Sequence, residues 1–99
     1  MVALTIDLQE GFDDDEVVIV IDGCEVFRKM AVCTRYQISL ADQVALDVRP
    51  GQKKVQVSLP QRNVRGEIEL DPLMTPYLGV SFDQGRLLLK PTPEAFGYL

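Results

Sequence analysis

Apolar residues along this chain alternate with polar ones or fall in short blocks, and nowhere do they form a long stripe of helical spacing. A side-chain period of two puts successive residues on opposite faces of a pleated strand. A chain written this way buries one face of each strand and needs a second sheet to cover it. Val2, Leu4, Ile6 and Leu8 open the pattern. Residues 16–22 continue it with five consecutive β-branched residues, which read as a central strand buried on both faces. Further strands are expected over residues 24–32, 34–40, 44–48, 55–59, 64–70, 77–82 and 86–90. A helical rival exists over residues 39–48, where Leu40, Val44 and Val48 are spaced by four. Their β-branched content and the Pro50-Gly51 that follows favour strand.

The breaks between strands have mechanisms of their own. Asp22-Gly23 is a tight-hairpin pair, and Asp83-Gln84-Gly85 turns the chain again. Arg49-Pro50-Gly51-Gln52 carries a type II turn signal and predicts that residues 55–59 pair back on 44–48. Pro60 should end a strand, having no N–H for the ladder, and Gly66 is a candidate bulge. In residues 24–32, Val26, Met30 and Val32 are expected on one face and Phe27 on the other. Turn signals at roughly 8–12-residue intervals are those of a sandwich or small barrel. The expectation is one all-β domain over residues 1–90, an antiparallel β-sandwich of eight or nine strands. Its connections would be Greek-key-like, either immunoglobulin-like or transthyretin-like. Residues 91–99, bounded by Pro91 and Pro93, form an apolar C-terminal tail.

Composition excludes more than it selects. A chain of 99 residues is one domain, and 46% hydrophobic residues supply a core without metal or disulfide. A formal charge of −5 opposes a sequence-independent nucleic-acid binder, and stacking partners near the basic residues are scarce, with no aromatic among residues 49–65 and Tyr36 outside them. Histidine is absent, which removes the usual general base and metal ligand at neutral pH. Cys24, Cys33, Ser39, Ser58 and Ser81 therefore have no histidine to activate them. Glu67 and Glu69 share a strand face, but neighbouring acids on a solvent face are the commoner arrangement. No enzyme, no cofactor and no metal is expected. Cys24 and Cys33 read as buried reduced thiols.

Three segments are candidates for function. Asp13, Asp14, Asp15 and Glu16 cluster in a turn, yet consecutive acids lack the alternate spacing of a calcium loop. They read as a solvated loop guarding a strand edge. Arg49, Lys53, Lys54, Arg62 and Arg65 lie in a stretch without acids and suit an acidic partner. The sequence 76–82 superficially resembles a PDZ carboxylate-binding loop. Its position late in the chain, without a following helix, instead points to Gly79 letting a neighbour pack close. Phe96, Tyr98 and Leu99 are large apolar residues that either fold back on the domain or dock on a second molecule.

Residues 17–23, Val26, Leu40, residues 44–48, Pro50-Gly51 and residues 55–57 together resemble PEGA and carboxypeptidase-regulatory-like β-sandwich modules. A V-x-V-D-G hairpin is followed there by a proline- or glutamate-glycine turn and a strand. The resemblance covers residues 17–59 and implies an accessory, non-catalytic module. The reading is a protein-interaction module with a protein partner or a homo-oligomer. A carbohydrate- or calcium-binding sandwich is the alternative, opposed by the absence of tryptophan and by the register of the acids. No apolar run approaches the ~20 residues of a membrane span. The start of the chain carries no leader, so the cytoplasm is the expected location. A secreted form with its leader trimmed is the other.

Overall fold

The computed structural model describes residues 1–35 and 37–97. Its eight strands are β1 (Val2–Leu8), β2 (Asp15–Ile21), β3 (Cys24–Val32), β4 (Asp42–Val48), β5 (Lys53–Leu59), β6 (Val64–Leu70), β7 (Tyr77–Asp83) and β8 (Arg86–Thr92). They form two four-stranded sheets, A in the order β4-β1-β7-β8 and B in the order β3-β2-β5-β6. The inward residues are those the alternation selects. Leu4, Ile6, Leu8, Leu78 and Val80 from sheet A meet Val17, Ile19, Ile21, Val55, Val57 and Leu59 from sheet B. Burying each such side chain contributes ~1.5–3 kcal/mol, and this shared core holds the sheets together. β2 is central, and even its outward Val18 is buried.

The connectivity is more particular than the sequence pattern. In immunoglobulin sandwiches the first two strands share a sheet. Here β1 and β2 lie in different sheets, which leaves the transthyretin-like order of the two expected. Sheet A is mixed rather than wholly antiparallel, because β1 runs parallel to β7 with Ile6 opposite Leu78. A parallel neighbour has to be reached by a crossover, and the chain visits sheet B twice between β1 and β7.

Both predicted tight hairpins form. Asp22 and Gly23 have φ of 50° and 83°, and Gln84 and Gly85 have 51° and 82°, the left-handed pair a type I′ turn requires. The Pro50-Gly51 signal is different. β4 pairs with β1 and β5 with β2 and β6, so residues 49–52 cross between sheets instead of closing a hairpin. Among the described residues of 34–40 there is no strand either. Arg35 and Leu40 make an isolated bridge around a turn. Gly66 causes no bulge, since the β5–β6 register runs unbroken through it. A methyl group there would lie 2.8 Å from Leu89 Cδ1 and 3.1 Å from Leu87 Cβ. The glycine therefore lets β6 close on β8 along one side of the sandwich. On the other side Lys29 Nζ of β3 meets Asp42 Oδ2 of β4 at 2.7 Å.

Two further departures have local causes. Register shifts in the β2–β3 ladder and a positive φ at Ala31 rotate β3. Phe27 and Val32 consequently face the core while Val26 and Met30 are exposed. The acidic β1–β2 turn also hides the largest fully buried side chain, Phe12. Its N–H donates to Thr34 Oγ1 at 3.0 Å, and the Thr34 N–H returns a bond to its carbonyl at 2.9 Å. β8 extends through Pro91 to Thr92, past the expected end at Lys90. An edge strand tolerates the missing N–H.

Candidate functional site

The basic stretch does not gather into one patch. Lys53 and Lys54 open β5, whereas Arg62 and Arg65 follow its far end, ~20 Å away at ~3.3 Å per residue. Lys53 Nζ lies 3.5 Å from Asp22 Oδ2 and Lys54 Nζ 3.3 Å from Glu67 Oε1. Arg49 follows β4 and is exposed. Arg65 is exposed on β6 beside a shallow recess formed with Ser58, Pro60 and Asn63. Arg62 is committed within the molecule. Its Nε and Nη2 donate to Asp15 Oδ1 and Oδ2 at 2.6 and 3.2 Å, and its guanidinium lies 4.7 Å from the centre of the Phe82 ring. The Asp15 carboxylate raises the Arg62 pKa above its ordinary value.

The same pair changes the reading of the acidic turn. Asp15 is buried and also accepts the Asp13 N–H at 2.9 Å. Glu16 pairs with Arg28 at 2.7 Å. Only Asp13 and Asp14 are exposed as a solvated loop requires. Among the described residues, no three acids, cysteines or histidines come together as metal ligands. Both cysteines are exposed rather than buried. They sit at opposite ends of β3, ~30 Å apart along the strand, far beyond the ~7 Å Cα separation a disulfide spans.

The most organised surface is the outer face of sheet A. On the central strands β1 and β7 alternation places Ala3, Thr5, Asp7, Tyr77, Gly79 and Ser81 there, opposite the core positions, and the edge strands β4 and β8 add Gln43, Ala45, Asp47, Leu88 and Lys90. Ala3, Thr5, Ala45, Gly79 and Ser81 among them are small, and the surface is not bare. The segment after Thr92 bends at Pro93–Glu94 and returns across the sheet. An added methyl on Gly79 would lie 2.7 Å from Phe96 Cζ and 2.8 Å from Gln9 Oε1. Phe96 is thus seated in a notch that exists because residue 79 has no side chain.

Polar groups surround that notch. Asp7, beside Gly79 in the β1–β7 register, is only 2% exposed and accepts Gln43 Nε2 at 3.0 Å. Ser81 Oγ donates to Gln9 Oε1 at 3.4 Å. Further along, a cleft is lined by Glu10, Gly11, Ser81, Phe82, Asp83 and Leu88. Ser81 lies between the cleft and the notch, two residues along β7 from Gly79. The described residues of this outer face offer hydrogen-bond groups and shape.

Of the apolar tail residues, Phe96 folds back as one of the two expected alternatives. It covers the outer face of a sheet rather than an open edge of the core. Tyr98 and Leu99 lie outside the described residues, as does Tyr36. Asp7, Gln9, Gln43 and Ser81 carry no motif and escape sequence reasoning. The available signal is that several outward positions of sheet A, at Ala3, Thr5, Ala45, Gly79 and Ser81, carry small residues between the longer ones of its edge strands. No family model, no curated protein and no solved structure matches the chain.

Proposed function

We propose that this domain is a non-enzymatic protein-interaction module whose working surface is the outer face of sheet A. The observation that carries this reading is Phe96 seated on Gly79 beside the buried Asp7–Gln43 pair. A face that accommodates an aromatic side chain from a segment lying across it has the requirements for holding an extended peptide. These are a fixed pocket for one anchor and polar groups that set orientation. The resemblance of residues 17–59 to PEGA and carboxypeptidase-regulatory-like modules supports an accessory role of the same kind.

The direct experiment supplies the segment from outside. Phe96→Ala removes the ring from the notch, and a synthetic peptide of residues 92–99 is titrated into this variant by calorimetry. Saturable one-to-one binding is expected, and it should be lost when Gly79→Ala is added to the variant. Absence of binding, or binding indifferent to residue 79, would contradict the reading.

A further inference from the structure

We propose that the Gly79 notch is an exchangeable site whose occupant in trans is residues 93–97 of a second copy of this chain. The inference rests on the interaction-surface reading above and adds the identity of the occupant. Three observations lead to it.

The first is that this segment fits the site already. Contacts made by Phe96 within one molecule are available unchanged between two, so exchange costs only association and the change at the hinge. The second is the hinge itself. Pro91 and Pro93 flank Thr92, and a residue preceding proline is held extended. β8 therefore leaves the sheet stiffly through Thr92, and the whole reversal towards Gly79 falls on the bend at Pro93–Glu94. Opening that bend lets the segment continue outward to a neighbour. Short hinges forced into reversal favour such exchange.

The third is the nature of the notch. The three atoms nearest a methyl added to Gly79 belong to the far ends of Phe96 and Gln9, with no backbone atom among them. The ring thus sits on the sheet as a separable anchor, outside the core, which is built from the opposite faces. In dilute solution closure within one chain should dominate, because a short linker gives the segment an effective concentration in the millimolar range.

Two substitutions separate donor from acceptor. Phe96→Ala has an open notch and no ring, while Gly79→Ala has a ring and no notch. Isotope-labelled F96A is observed by nitrogen–proton correlation spectra at about millimolar concentration, matching the effective concentration of a short linker. The temperature is kept below the melting point of both variants. Adding unlabelled G79A should shift the amides of Gln9, Gly79 and Ser81 in labelled F96A, whereas adding unlabelled F96A should not. No shift with G79A, or equal shifts with both, overturns the proposal. The peptide of residues 92–99 distinguishes the two levels of failure. If it shifts the same amides while G79A does not, exchange is refuted and the interaction surface survives. If neither produces shifts, both readings fall.

Discussion

The two outer faces of the sandwich are built from the same alternating pattern and are satisfied in different ways. Sheet B presents long polar side chains that pair with each other in the open, beside exposed Val26 and Met30. Arg28 bridges Glu16 and Glu25, each at 2.7 Å, and Gln56 Nε2 donates to Glu67 at 2.7 Å beside Lys54. Sheet A carries long polar residues too, Gln43, Asp47 and Lys90 on its edge strands, but it also presents small ones at Ala3, Thr5, Ala45, Gly79 and Ser81. Asp7 lies buried among the outward positions, and Phe96 covers Gly79. Where small residues stand among long ones on an outward face, they leave room that another segment fills, as Phe96 does at Gly79. The polar half of a strand pattern therefore carries information about partners as well as about solvent.

The contrast predicts unequal responses to mutation. The largest belongs to sheet A. Asp7→Ala deletes a buried acceptor together with its packing and its hydrogen bond from Gln43, a bond of the kind that contributes ~0.5–1.5 kcal/mol by itself. Chemical denaturation should show it as a lower midpoint with the slope retained. A midpoint equal to wild type would mean that the buried carboxylate contributes nothing to the face.

Arg28→Ala is the matching change on sheet B, and its effect should be smaller. The partners are at the surface and resolvate readily, so the melting temperature at neutral pH should move by a few degrees at most. A loss comparable to that of Asp7→Ala would erase the distinction between the faces.

The smallest effect appears in the pH dependence. The Arg28 hydrogen bond holds the Glu25 pKa below its ordinary value, against slight desolvation. The Gln56 hydrogen bond, then Lys54, does the same for Glu67. Asp22 is lowered chiefly by the Lys54 backbone N–H. At Asp42 burial acts upward, and Lys29 with the Gln43 N–H outweighs it. A carboxyl group with a folded pKa below its unfolded value stabilises the fold above the unfolded value, near pH ~4. That contribution disappears as pH falls through the folded value. Thermal midpoints should thus decline below about pH 4, and Arg28→Ala should make the decline shallower by removing the cause at Glu25. An unaltered acid limb in that variant would contradict the assignment.

Much of the fold is legible in the sequence because it depends on local chemistry. Val2, Leu4, Ile6 and Leu8 mark β1 by period alone, and Asp22-Gly23 and Gln84-Gly85 specify turns that only residues at ease with positive φ adopt. What was not legible depends on contacts distant in the chain. Pro50-Gly51 encodes a change of direction but not whether the next strand returns to the same sheet. Gly66 marks a close approach, and only the position of Leu87 and Leu89 shows what approaches. The burial of Phe12 and Asp15 inside an acidic turn depends on Thr34 and Arg62, residues well removed along the chain. At the candidate site Phe96 and Gly79 each attract notice separately, as a large apolar tail residue and a glycine needing a close neighbour. Their mutual contact, with Asp7 and Gln43 beside it, comes from the folding back of the segment after β8.

The central claim, that Phe96 fills a notch defined by Gly79, is tested most directly by a double-mutant cycle on folding stability. Phe96→Ala should cost about 1 kcal/mol in the wild-type background, less than the ~1.5–3 of a fully buried ring because Phe96 is half-buried. In the Gly79→Ala background, where the new methyl has already displaced the ring, the same substitution should cost nothing measurable. An equal cost in both backgrounds would contradict the account, because it would show that the ring and the glycine act independently.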